Sequence, residues 1–267
     1  MARGKEKRTS WLAVIGYTVR FTLMAAVLIG GIFVIQRAEQ FLVRDARFRF
    51  IGPEYGFDSP SLQIQGVKYA SRTQVLRVFA PDFGRSVYLL PLGQRRAQLK
   101  ALDWVKDASI TRIWPNRVLV RIEERQPVAF VQVPVDRFTR VALIDDDGRI
   151  LQQPPHSPFK LPVLSGAKAD DPEPVRREYV GRLQYVLKDL GKLADRVSEF
   201  DVRDRQDLVI TAKMESRAVM LLMGDHNFGA RLSGFINHYQ EIERRMPGTW
   251  KFDLRLDDRI TAVEERQ

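Results

Sequence analysis

The sequence predicts an α+β protein behind one N-terminal apolar helix, and three observations carry that expectation. Residues 11–35 are apolar apart from a few hydroxyls and Arg20, long enough to cross a membrane. Residues 61–126 read in the order strand, helix, helix, strand, strand. Residues 127–256 read mostly as strands, with two amphipathic helices among them. The expected divisions are a tail over 1–15, a transmembrane helix over 16–36, and a linker or helix extension over 37–57. A first domain then covers 58–126 and a mostly antiparallel β domain with packed helices covers 127–267.

The uncharged part of the apolar run, residues 21–35, makes about 22 Å of helix, short of a hydrocarbon core of about 30 Å. Starting the span at Gly16 supplies the missing length and leaves Arg20 one turn inside, where its side chain snorkels to the headgroups. Trp11 and Tyr17 suit the same interface. The run is too long for the apolar core of a cleaved signal peptide, and no A-x-A site follows it. The ten residues MARGKEKRTS ahead of it offer no domain in which to bury it. Arg3, Lys5, Lys7, Arg8 and Arg20, opposed by Glu6, outweigh Arg37, Arg44, Arg47 and Arg49. The bias places the N-terminus in the cytoplasm and everything after residue 36 outside it.

Net charge is +10, but residues 1–50 hold nine Lys/Arg against three Asp/Glu. The excess therefore flanks the apolar run, which favours lipid headgroups as its partner. A nucleic-acid-binding domain needs a basic stripe with stacking aromatics, and none is found. There is no cysteine, which excludes disulfides and thiolate metal sites. His156, His226 and His238 have no neighbours at metal-ligand spacing, and no cofactor is expected.

Two short helices are expected in the first domain. Ser71 is a candidate N-cap for a helix carrying Val75, Leu76, Val78 and Phe79. The second covers 92–102, with Leu92, Leu99 and Leu102 inward and Gln94, Arg95, Arg96 and Lys100 outward. The most informative stretch follows at residues 104–130, WVKDASITRIWPNRVLVRIEERQPVAF. Trp114-Pro115-Asn116 supplies a turn. After it, Val118, Val120 and Ile122 alternate with Leu119, Arg121 and Glu123. Pro127 ends the strand or changes its partner.

This run resembles the "V..A.V.R.WPN.L.V.V.ER.PVA" pattern of the FtsQ/DivIB family of bacterial division proteins. It matches at Val105, Ala108, Ile110, Arg112, Trp114, Pro115, Asn116, Leu119, Ile122, Glu124, Arg125, Pro127, Val128 and Ala129. The β-α-α-β-β order also resembles the POTRA domain, a polypeptide-docking module. Further along, LIDDDGRIL, LPVLSG and WKFDLRLDDRITAV resemble family motifs in the same order. One departure is Leu256, where the family carries tyrosine after Asp-Leu-Arg.

The second half holds strands at 128–133 and 141–151. The latter is a hairpin turning at Asp145-Asp146-Asp147-Gly148, which lacks the spaced ligands of a calcium loop. LPVLSG at 161–166 reads as an edge-type segment. Helices are expected over 174–194 and 227–246, strands over 197–202, 207–213 and 218–223, and a last strand over 250–256. No nucleophile with a base and orienter is found, Ser233 and His238 lying on different faces of one helix, and no phosphate loop. The chain is therefore not expected to be an enzyme. A POTRA-containing outer-membrane assembly or secretion factor is the alternative class, but such chains carry several repeats and no second copy is present here.

The last strand is read as a sheet edge, open to a partner strand. The resemblance implies partners of the FtsB/FtsL coiled-coil type. The candidate partner-binding residues are Phe252, Asp253 and Leu254 of that strand and, carried over by position, Arg255, Leu256, Asp257, Ile260, Ala262 and Val263. Arg255 is expected to meet a partner carboxylate. The helical face bearing Arg72, Arg77, Arg95, Arg96 and Lys100 is a second candidate surface, toward other membrane proteins of the division machinery. The family also implies a single-pass protein of the bacterial inner membrane at the division septum, its C-terminal domain periplasmic.

Overall fold

In the computed structural model the described residues are 11–56, 58–135, 138–155, 157–204, 206–215, 217–256 and 259–263. The tail cations, His156, Asp257 and Asp258 lie outside them. The chain divides into two units: residues 1–102 with 107–123, and residues 103–106 with 124–267.

The first unit begins with helix α1 (Trp11–Arg44), unbroken over 34 residues. Its apolar stretch is long enough to cross a membrane, and none of that stretch is buried in the protein. After it come β1 (Leu62–Gln65), α2 (Arg72–Phe79), α3 (Leu92–Lys100), β2 (Val105–Ile113) and β3 (Arg117–Glu124), the expected β-α-α-β-β order. β3 lies between β1 and β2, and β1 pairs with it in parallel, Leu62 opposite Val118 and Ile64 opposite Val120. Alternation in β1 buries Leu62 and Ile64 and exposes Gln63 and Gln65. Leu119, placed by alternation on the polar face of β3, is buried as well, in keeping with the central place of that strand. Ser71 caps α2, its hydroxyl accepting from the Gln74 amide.

Gly66 ends β1 at φ +80, where a Cβ would stand 2.1 Å from the Ile122 carbonyl oxygen. Both the backbone angle and the space demand glycine. Gly66→Ala is expected to destabilise the first unit by more than about 1 kcal/mol, read as a lowered denaturation midpoint.

Two arginines, one of them expected to be solvated, hold this unit together. Arg95, predicted to face outward from α3, is 7% exposed. Its Nε and Nη2 donate to Asp82 at 2.6 and 3.0 Å, so the guanidinium turns inward to a carboxylate thirteen residues away. That bond raises the Arg95 pKa above its ordinary value. Arg112, from the WPN motif, donates to the carbonyls of Val87 (2.9 Å), Tyr88 (3.3 Å) and Leu90 (2.6 Å). It closes the short helical turn at Val87–Leu89.

The second unit is built on one nine-stranded mixed sheet. Its strands are β4 (Pro127–Val135), β5 (Phe138–Asp145), β6 (Ile150–Leu151), β7 (Val163–Ser165), β8 (Val197–Asp201), β9 (Leu208–Lys213), β10 (Ala218–Gly224), β11 (Lys251–Asp253) and β12 (Thr261–Ala262). Their spatial order is β12-β11-β10-β9-β8-β7-β4-β5-β6. Helices α4 (Glu173–Leu190) and α5 (Phe228–Arg245) supply Val180, Leu183, Val186, Phe228, Leu232 and Phe235 to one core with Phe200, Ile210, Leu221 and Phe252.

LPVLSG is not at an edge. β7 lies between β4 and β8, parallel to both. Pro162 stands just ahead of the strand, where no donor is lost, and its carbonyl accepts from the Phe130 amide at 2.8 Å. The acidic turn is a hairpin organiser. Asp145 is fully buried; its Oδ1 accepts from the amides of Asp147 and Arg149, and its Oδ2 takes Arg125 Nη1 at 2.6 Å. Lys106 binds Asp146 at 2.8 Å. The three carboxylates converge, but these cations already occupy them.

Candidate partner-docking interface

The end of the sheet is assembled by β10, β11, β12 and α5. β11 pairs in parallel with β10, Met220 to Lys251 and Leu222 to Asp253. On its other side β12 pairs antiparallel, Phe252 to Ala262 and Asp253 to Thr261. Residues 251–253 are thus enclosed by two strands of the same chain, and the expectation that this segment is the open edge is corrected. The margin is β12. A second, very short strand, Thr261–Ala262, lies outside the first. The signal for it was the β-branched Ile260, Thr261 and Val263, too short a run to read as a strand alone.

The predicted residues separate accordingly. Phe252 is fully buried with its ring 5.1 Å from that of Phe235, and Leu254 is also buried. Both serve the core, and Phe252 offers a partner no surface. Asp253 and Arg255 hold each other: Arg255 donates through its amide (2.9 Å), Nε (2.9 Å) and Nη2 (2.6 Å). Its Nη1 reaches Asp207 at 3.1 Å. The Arg255 hydrogen bond holds the Asp253 carboxyl below the usual carboxylate range, and the same bond raises Arg255. Arg255 is therefore committed within the chain, although half of its side chain remains exposed.

Asp257 lies outside the described residues. Leu256 is exposed, as is Ala262, while Ile260 and Val263 are half-buried. The Val263 amide donates to the Lys251 carbonyl at 3.0 Å. Alternation along an antiparallel ladder then turns the amide and carbonyl of Ala262 outward. No described strand lies beyond β12.

Next to this margin is a groove of about 440 Å³ between α5 and the returning chain. Ala230 and Gly234 leave room on the helix, and Leu254, Leu256 and Ile260 form the opposite wall. Arg231 fixes that wall from α5, donating to the carbonyls of Met223 (2.5 Å) and Arg255 (3.0 Å). Sequence reasoning missed Arg231 and the two small residues, because their spacing on an amphipathic helix looks like ordinary packing.

The second candidate surface is largely self-neutralised. Arg95 is buried, Arg96 and Lys100 share Asp107, and Arg72 binds Asp58; Arg77 is exposed. Ser233 and His238 form no dyad: the His238 Nδ1 lies 2.9 Å from the Gly234 carbonyl of its own helix.

Residues 60–125 match the family model described as "POTRA domain, FtsQ-type". With α1 ahead of it, the module defines the class: a POTRA protein whose apolar N-terminal helix fits a transmembrane segment. A relative named "Cell division protein FtsQ" from Koribacter versatilis is 31% identical over 208 residues, 76% of this chain and 59% of its own. Proteins of the same name from Zymomonas mobilis and Novosphingobium aromaticivorans are 27% and 28% identical, over 75% and 79% of this chain and 60% and 62% of theirs. Over about three quarters of its length the chain is thus similar to the FtsQ family of cell division proteins. It spans about 60% of the length of the curated relatives it matches.

Proposed function

We propose that the chain is a non-catalytic scaffold of the bacterial division machinery. Its α1 crosses the inner membrane once, with the N-terminus cytoplasmic and both folded units periplasmic at the septum. Partners of the FtsB/FtsL coiled-coil type add a strand to β12, using the outward amide and carbonyl of Ala262. The neighbouring groove takes an apolar side chain from that partner. Leu256 stands where relatives of the resembled pattern carry tyrosine, so the contact there is aliphatic. The POTRA unit faces other membrane proteins of the same machinery. The observation that carries this reading is the nine-stranded sheet ending in a two-residue strand with no described neighbour outside it.

A fluorescent fusion to the full chain in dividing bacteria tests the role. A band at the division site is expected, whereas an even envelope signal removes the proposal.

A further inference from the structure

We propose that the surface of the first unit around the end of α1 binds the headgroups of anionic phospholipids, so that the POTRA domain lies against the membrane. The proposal rests on α1 crossing a bilayer.

The helix does not stop at the lipid. From Gln36 to Arg44 it continues about 12 Å beyond the hydrocarbon span, which is headgroup level and just above. No free linker follows. The Ser86 hydroxyl donates to the Leu42 carbonyl at 2.7 Å, and Arg49 bridges to Ser86 through the backbone. The Phe50 amide donates to Arg85, and the Gly84 amide to Phe50, both at 2.8 Å. Phe48 packs edge-on between Phe41 (5.6 Å) and Trp114 (5.8 Å). The domain is thus fixed to the end of its own anchor, and the residues around that junction stand at a set height above the bilayer.

Those residues have the chemistry of a membrane interface. Arg44, Arg49 and Arg85 line a hollow of about 210 Å³ with Val43, Asp45 and Leu89. Asp45 is taken by Arg47, through bonds of 3.1 and 2.9 Å. Arg44, Arg49 and Arg85 form no ion pair with any described residue. Glu39 is the other acid on this stretch, against Arg37 and the arginines already named. Beside them Trp114 is 50%, Tyr88 43% and Leu89 40% exposed. Guanidinium groups match phosphate oxygens in pairs, and aromatic rings settle at the headgroup layer. The WPN turn, a scaffold feature in the sequence, here brings its tryptophan to the anchor.

The test uses the full chain in nanodiscs of phosphatidylcholine alone or mixed with phosphatidylglycerol. The protein has no cysteine, so Leu89→Cys carries a single nitroxide. In discs containing phosphatidylglycerol the label is expected to lose access to an aqueous nickel chelate. Preference for spin-labelled phosphatidylglycerol over phosphatidylcholine should fall about fivefold for each of Arg44, Arg49 and Arg85 changed to glutamine. Lysine at all three should restore it, with circular dichroism showing the fold intact. A label equally exposed to water in both disc types overturns the proposal, as does a lipid preference untouched by the triple glutamine variant. Failure of the chain to enter discs at all removes the anchor reading itself.

Discussion

Arg95→Leu is expected to cost the POTRA unit about 3–5 kcal/mol, the penalty of leaving one partner of a buried ion pair without the other. The side chains of Arg95 and Asp82 are 9% and 4% exposed, and two bonds of 2.6 and 3.0 Å join them. Arg95 Nη1 also donates to Gln98 at 2.7 Å, which fixes the plane of the fork. Without the guanidinium, the buried Asp82 carboxylate is left without its partner between α2 and α3. Hydrogen exchange should therefore show α2 and α3 opening first, while the nine-stranded sheet keeps its protection. The double variant Asp82→Leu/Arg95→Leu should recover most of the loss, because neither member is then stranded. A single variant that melts with the parent would mean that water reaches the pair, contrary to the burial seen.

What was legible in the sequence, and what was not, divides along the range of the interaction. Strand periodicity in residues 105–124 depends on neighbours two residues apart, and the β-α-α-β-β order follows from it. The cap at Ser71 is equally local. The arginines are different. Arg95 sits where the helical pattern assigns it to solvent, and nothing local marks Arg112 or Arg125, yet they bind Asp82, three carbonyls at 87–90, and Asp145. Each partner is thirteen or more residues away, so no window on the sequence contains the pair. Arg125 and Asp145 belong to two separate motifs of the family resemblance, and their meeting gives both a structural reason.

Sheet order failed for the same cause. A short strand with proline before it reads as an edge, but β7 is interior because β4 and β8 both reach it from far along the chain. At the C-terminus the alternating run 250–256 was seen as strand, which only Lys251–Asp253 is, and wrongly seen as margin. The two residues of β12 make the difference.

That two-residue margin sets up the second large effect. Ala262→Pro is expected to weaken capture of a coiled-coil partner by about tenfold to a hundredfold. The ring removes the outward amide and stands in the path of an added strand, each ladder bond being worth about 1 kcal/mol net. Stability should change little, because the Val263 amide keeps its bond to Lys251. Thr261, before the proline, is already extended, as a residue in that position must be. Ala262→Val retains the donor and favours strand, so capture should persist. Arg255→Glu makes an instructive contrast. It sets a third carboxylate beside Asp253 and Asp207, so its loss of binding should come with a lowered melting temperature. Co-purification and thermal unfolding, measured on the three variants together, separate a docking edge from a structural one. Should Ala262→Pro hold its partner as firmly as the parent, the margin is not where that partner docks, and the groove beside α5 would have to bind it alone.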